Sequence, residues 1–193
     1  MLYDYFCNFA NCMAATRQEY NQLQAFARVD GAQVAVLWIA SFALFVMQFE
    51  HQMLSLLSLA VGVGSLVYAS WCVIRFRDRV RGGVLSFWQA LSFGLLTYLY
   101  AALLFALAQF IYFQFMDGGY MMEHYYTIVS TDEYRQMMRI YGITESDMQL
   151  AMDGIAALRP IEIAMQFFTL NIIMGFLVSL PMAALARRSA RRT

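Results

Sequence analysis

Four long stretches without charge constrain this chain more than any other feature. No Asp, Glu, Lys or Arg occurs in residues 31–49, 51–74, 82–116 or 163–186, which are 19, 24, 35 and 24 residues long. A helix needs about 20 mainly apolar residues to cross a hydrocarbon layer of roughly 30 Å, because it rises about 1.5 Å per residue. A backbone amide without a partner is costly in lipid, so these stretches are predicted to be helices.

The composition agrees with a membrane protein. The chain is 61% hydrophobic and 13% charged, whereas soluble domains average roughly 45–50% and about 25%. A soluble helical bundle is the alternative, but its helices carry polar faces that residues 61–68 lack. We therefore predict an all-α integral membrane protein. Its four transmembrane helices are expected at about residues 32–49, 53–75, 84–115 and 162–186.

The first 30 residues are predicted to form an N-terminal amphipathic helix ahead of a transmembrane domain of residues 31–193. They do not resemble a signal peptide, because Asp4 stands where a positive segment would be. Two interpretations remain open: the helix lies on the bilayer surface, or it packs on the bundle. Its apolar residues recur at helical spacing: Leu2, Phe6, Phe9, Met13, Tyr20, Leu23 and Ala27.

Arginine placement predicts an orientation. The chain has 13 arginines and no lysine, and ten of the arginines fall on one side of a four-span arrangement. The positive-inside rule then places both termini in the cytoplasm. The thirteen cations equal the thirteen acids, which argues against a nucleic-acid partner. The arginine-rich side is expected to carry +6, the hairpin at Glu50 −1 and residues 117–162 −5.

The loop of residues 117–160 is predicted to be helical and extracytoplasmic. Ser130 opens a capping-box pattern and Thr144 is expected to cap a second helix, with Gly142 ending the first. A further short helix is expected near residues 123–126. Both capped helices carry apolar stripes, which must be covered by the bilayer surface, the bundle or a partner protein.

Two groups of polar residues are candidate sites. The first is a possible intramembrane polar cluster, which could form a pocket or join helices by hydrogen bonds. It consists of Gln109, Gln114, Gln166 and Asn171. The second is a possible contact for lipid or phosphate groups, for which a topology signal and a snorkelling collar are the alternative. It consists of Arg75, Arg77, Arg79, Arg81, Arg187 and Arg188.

Motifs for chemistry are missing from the sequence. There is no phosphate-binding glycine loop, nucleophile elbow or zinc motif, and Cys7, Cys12 and Cys72 do not form a metal-ligand pattern. We expect no cofactor and no enzymatic activity. Glu123 and His124 are the one pair that could serve as acid and base at the interface, but neighbours on a helix point about 100° apart.

The stretch RFRDRVRGGVLSFWQA, at residues 75–90, resembles a known family. It is similar to the Bacteroidota membrane family called domain of unknown function 4199, and the resemblance extends over roughly residues 30–188. The motif positions are Gly82, Gly83, Ser86, Phe87, Gln89 and Gly94. The resemblance implies a small inner-membrane protein with four spans, no established activity and no assigned catalytic residues. Family members are often encoded near polyisoprenyl-type glycosyltransferases, which implies an accessory role.

Three functions follow as expectations. The first is a non-enzymatic scaffold or accessory subunit, with membrane lipids and a membrane protein, such as a glycosyltransferase or a second copy of this chain, as partners. The second is a small transporter or flippase accessory for lipid-carried sugars. The third is an interfacial enzyme.

Overall fold

The fold is all-helical throughout the part of the chain that the computed structural model describes, residues 2–51 and 53–187, with side chains from residue 17 onward. Within these ranges there are seven helices and no sheet, which confirms the predicted all-α class. The helices are α1 Leu2–Met47, α2 Met53–Arg79, α3 Phe87–Phe115, α4 Tyr120–Val129, α5 Asp132–Ile140, α6 Glu145–Ala156 and α7 Pro160–Ala186.

Four of these helices are long and apolar enough to cross a membrane. They are Arg17–Met47 within α1, and the whole of α2, α3 and α7, each with a mean hydropathy of 1.8 or 1.9 in its most apolar window. Their positions confirm the four predicted spans, and the chain is a multi-pass membrane protein. The turn between α1 and α2 is so short that these two helices form an antiparallel hairpin.

The predicted N-terminal helix is the first part of α1 rather than a separate element. The boundary expected at residue 30 is not a break, because α1 continues through it without interruption. Gly31 is the one weak helix former there, and it sits where a Cβ atom would lie 2.7 Å from the Thr97 carbonyl oxygen of α3. Leu23 and Ala27 are buried in the core, which favours packing on the bundle; the stripe positions up to Met13 lie outside the described side chains.

The bundle is tight at one end and open at the other. We call the end with the α1–α2 turn and α4–α6 the loop end, and the end with residues 75–83 the arginine end. Helix α3 packs along α1 and α7, α2 packs along α1, and α1 and α7 make no extended contact. The buried core lies mainly toward the arginine end. It includes Ala69, Val73, Phe76, Phe93, Met182 and Ala183. Toward the loop end the helices separate.

Short helices cover the loop end, as predicted. The expected helix near residues 123–126 is α4, which is longer than expected. Thr144 caps α6 in a capping box with Asp147, and Gly142 follows α5 with a positive φ of 69°. The predicted cap of α5 was wrong by one residue. Thr131, not Ser130, accepts the hydrogen bond from the Tyr134 amide, and Ser130 instead ends α4.

Candidate functional site

A large cavity lies between α1, α3 and α7 at the loop end, beneath α4. Its volume is 990 Å³, at the upper limit of the roughly 300–1,000 Å³ of small-molecule sites. The cavity exists because α1 and α7 each pack on α3 but not on each other. Its apolar walls come from Trp38, Phe42 and Phe45 of α1, Phe105 and Phe113 of α3, Met121, Met122 and Tyr125 of α4, and Phe167 and Leu170 of α7.

Most polar groups in the cavity wall already have partners. Ser41 of α1 and Ser58 of α2 each donate a 2.8 Å hydrogen bond to the other's backbone carbonyl. The indole N–H of Trp38 donates to Ser65 Oγ at 2.9 Å. Asn171 Nδ2 donates to the Phe167 carbonyl at 2.8 Å. The hydrogen bonds of Ser41, Ser58 and Trp38 hold α1 to α2, whereas that of Asn171 lies within α7.

Gln109 is a buried polar residue of this wall whose side chain has no hydrogen-bond partner. It is 1% exposed, and neither its Nε2 nor its Oε1 has a hydrogen-bond partner. Leaving a buried amide unpaired costs about 1–3 kcal/mol, so this side chain lowers the stability of the protein. A ligand in the cavity that both donates and accepts a hydrogen bond would remove that cost.

The structure brings together three of the four residues of the predicted intramembrane polar cluster. Gln109, Gln166 and Asn171 all line the cavity, although no hydrogen bond joins them. Gln114 does not belong to it: its side chain is exposed. Five residues along a helix turn the side chain by about 140° relative to Gln109, and this separates the two glutamines of α3.

A second cavity adjoins the first and reaches deeper into the bundle. Its volume is 570 Å³, and it extends along α7 to Val178. The two share Trp38, Ser41, Phe45, Ser58 and Asn171 in their walls. From Pro160 to Val178, α7 rises about 27 Å at about 1.5 Å per residue. Together the cavities therefore follow the length of a lipid chain.

The predicted motif at the arginine end shapes the turn between α2 and α3, the start of α3 and its contact with α7. Gly82 and Gly83 have positive φ angles of 60° and 84°, which only glycine adopts easily, and they reverse the chain between α2 and α3. Ser86 then caps α3 in a capping box with Gln89, confirming the expected cap, and Phe87 is the first residue of α3. At Gly94 a Cβ atom would lie 2.8 Å from Ser179 Oγ of α7, so α3 and α7 approach closely there.

A protein-family model, described as protein of unknown function (DUF4199), matches residues 30–188. The match includes the whole motif, the cavity, α2, α3, α7 and the part of α1 from residue 30 onward. The chain belongs to this family. No curated protein and no solved structure gives a match. The expected resemblance is thereby confirmed at the level of the family.

Three of the six candidate arginines of this DUF4199 protein form ion pairs inside the fold. Arg75 pairs with Asp30, Arg77 pairs with Asp78 and donates to the Ala186 carbonyl at 3.2 Å, and Arg81 pairs with Glu19 at 3.1 Å. Two other candidate arginines, Arg79 and Arg187, are exposed, and Arg188 lies outside the described residues. The first three arginines thus tie α1, α2 and α7 together at the arginine end, whatever lipid contacts they also make.

The sequence reasoning missed the ion pair of Asp30 and Arg75. Asp30 is 1% exposed although it is charged. Each residue falls one position outside an uncharged stretch, since the stretches begin at Gly31 and end at Ile74. Defining spans by the absence of charge therefore hid the pair. The available signal was two opposite charges at the same end of adjacent antiparallel helices.

Glu123 and His124 do not converge on a common position. His124 Nδ1 lies 2.8 Å from the Tyr120 carbonyl of its own helix, and its ring packs against Tyr120 and Phe49 at centroid distances of 4.2 and 4.9 Å. Glu123 is exposed. Among the described residues, no group of three or more His, Cys, Asp or Glu side chains could hold a metal ion.

Proposed function

We propose that this DUF4199 protein is a non-enzymatic accessory protein of the bacterial inner membrane that holds a lipid in the cavity at the loop end and serves a partner membrane protein. The single observation that carries this proposal is the unpaired amide of Gln109 in the wall of a 990 Å³ apolar cavity. A buried polar group without a partner lowers the free energy of unfolding, and a bound ligand that pairs with it offsets that loss.

The short helices support a partner at the same end. Helices α5 and α6 each bury a single residue, Met138 and Met152, while Ile140, Tyr141 and Leu150 are each at least 75% exposed. Large apolar side chains exposed together at a membrane surface are typical of contact sites between proteins. We therefore place the partner contact on α5 and α6, next to the lipid.

The orientation in this proposal follows the arginines. The arginine end faces the cytoplasm with both termini, and α4–α6 face outward. The lipid then comes from the outer leaflet, because the cavity lies at the opposite end from the arginines.

Lipid retention tests the proposal. The full-length protein and the variants Gln109→Leu and Gln114→Leu would be purified from native membranes in mild detergent, and the lipid bound per protein measured by mass spectrometry. We expect the Gln109 variant to lose lipid and the Gln114 variant to match the wild type, since Gln114 lies on the same helix outside the cavity. Equal retention by all three proteins would contradict the proposal.

Crosslinking from α6 tests the proposed contact with a partner protein. A photoreactive crosslinker on Leu150→Cys, in native membranes, should give one dominant product with another membrane protein or a second copy of the chain. The same crosslinker on Leu185→Cys, exposed on α7 far from α6, is the control. A monomer alone at both positions would contradict a partner role.

A small transporter or flippase accessory for lipid-carried sugars is the second candidate. The continuation of the cavity along α7 to Val178 favours it, since this gives an apolar path well into the membrane. Replacing Gln109 and Asn171 by Leu and measuring lipid-linked sugar on each leaflet separates the two candidates. If the substitutions abolish lipid retention but do not change the distribution of lipid-linked sugar between the leaflets, the result supports the accessory role and excludes transport.

A further inference from the structure

The cavity at the loop end has a charge pattern that selects among lipids. No arginine lines either of the two adjoining cavities among the described residues, and the chain contains no lysine. Asp117 is the one charged residue in the walls, and its carboxylate accepts hydrogen bonds from the amides of Gly119 and Met121 at 3.1 and 3.2 Å. A phosphate placed here would meet a carboxylate and no cation.

The cation next in sequence to the cavity wall already has an acidic partner. Arg159 precedes the wall residue Pro160, but its guanidinium binds Glu162 at 2.8 Å and points into solvent, with 75% of its side chain exposed. Residues 117–162 carry eight acids and three arginines. Burying an unpaired phosphate in such a site is strongly unfavourable, so the ligand that fits is uncharged.

Among the three amide side chains in the wall, those of Gln109, Gln166 and Asn171, only that of Gln109 is buried without a partner. Gln109 has both a free N–H donor and a free carbonyl acceptor. A hydroxyl group satisfies both, because it donates one hydrogen bond and accepts others. An ester or ketone would satisfy only the N–H, and an ammonium only the carbonyl.

Resting on the proposed function, we infer that the lipid bound in the cavity is a neutral lipid whose polar group is a free hydroxyl, of the diacylglycerol class. The hydroxyl hydrogen-bonds Gln109, and the chains follow α7 into the second cavity between Asn171 and Val178. A phospholipid with the same chains is excluded by its phosphate.

Competition between matched lipids tests the inference. The full-length protein would be placed in phosphatidylcholine nanodiscs with equal amounts of dioleoylglycerol, its acetyl ester and dioleoylphosphatidic acid, and bound lipid read by native mass spectrometry. The three share their chains and differ only in a hydroxyl, an acetyl ester or a phosphate. We expect dioleoylglycerol to be enriched about tenfold over both others, since each leaves a buried group unpaired.

The Gln109 and Gln114 variants distinguish the preference for a hydroxyl group from lipid binding itself. Gln109→Leu should abolish the enrichment, and Gln114→Leu should keep it. Lipid retention that depends on Gln109 without preference for the hydroxyl would overturn this inference and leave the proposed function standing. Retention that ignores Gln109 would overturn both. Circular dichroism and the thermal midpoint of each variant show that loss of binding is not loss of fold.

Discussion

Arg75 of α2 donates a 2.5 Å hydrogen bond from Nη2 to Oδ1 of Asp30 on α1, joining residues 45 positions apart in the sequence. Its guanidinium also lies 4.6 Å above the ring of Trp71. The side chain of Asp30 is 2% exposed, whereas that of Arg75 is 25% exposed. The pair therefore fixes the relative position of the first two helices at the arginine end.

Breaking this pair should be asymmetric. Arg75→Gln strands a buried carboxylate and should lower the free energy of unfolding by about 3 kcal/mol, while Asp30→Asn should cost less because Arg75 can reach solvent. Denaturant unfolding in micelles measures both. Arg79→Gln is the control, since Arg79 is exposed and has no ion pair among the described residues. A loss for Arg75→Gln no larger than for this control would refute the assignment.

Gln109→Leu should stabilise the protein even as it removes lipid binding. The substitution replaces an unpaired buried amide with an apolar side chain of similar size, which should raise the free energy of unfolding by about 1 kcal/mol. The thermal midpoint in lipid-free detergent measures it. Gln114→Leu should leave the midpoint unchanged. A lower midpoint for Gln109→Leu would mean that the amide has a partner inside the protein.

The close contact of α3 and α7 predicts the effect of a single methyl group. At Gly175 a Cβ atom would lie 2.6 Å from Tyr98 Cβ. Gly175→Ala should therefore destabilise the protein by about 1–3 kcal/mol. Gly64→Ala is the matched control in a spanning helix, because nothing lies within 4 Å of its Cβ position. That substitution should stabilise α2 slightly. Equal effects at the two positions would contradict the packing.

The cap of α6 predicts a pH dependence at the loop end. Hydrogen bonds from the Thr144 hydroxyl and amide hold the pKa of Asp147 below its ordinary value of 3.8. A lowered pKa in the folded state means that the cap stabilises α6 above about pH 4 and that this contribution is lost as the pH falls through the lowered pKa.

The Asp147 carboxyl carbon can be followed by NMR during a pH titration. Thr144→Val should return the pKa toward 3.8 by removing the hydroxyl. Thr131→Val, which removes the cap of α5 instead, should leave it unchanged. The capping box is disproved if Thr144→Val has no effect.

The orientation can be tested by cysteine labelling of a cysteine-free background. Ser130→Cys, between α4 and α5, should react with a membrane-impermeant maleimide in intact cells. Ser189→Cys, near the C-terminus, should react only after the membrane is opened. The reverse pattern would place the arginine end outside and contradict the positive-inside argument.

The sequence predicted what depends on local pattern. Span length follows from runs of apolar residues, and the caps at Ser86 and Thr144 follow from short polar residues ahead of such runs. The continuity of α1 through residue 30 was not predicted, because a charge at Asp30 looks like a boundary when its partner on another helix is unknown. A pocket at Gln109, Gln166 and Asn171 was one of two alternatives from the sequence, but its size was not predicted, because the size depends on how far α1 and α7 separate and no residue pattern encodes that distance.

The concentration of the core at the arginine end bears on how this chain can vary. Substitutions in the packed half disturb the buried contacts between the helices. Members of the family that keep this half can therefore keep the fold while residues of the cavity wall differ between them.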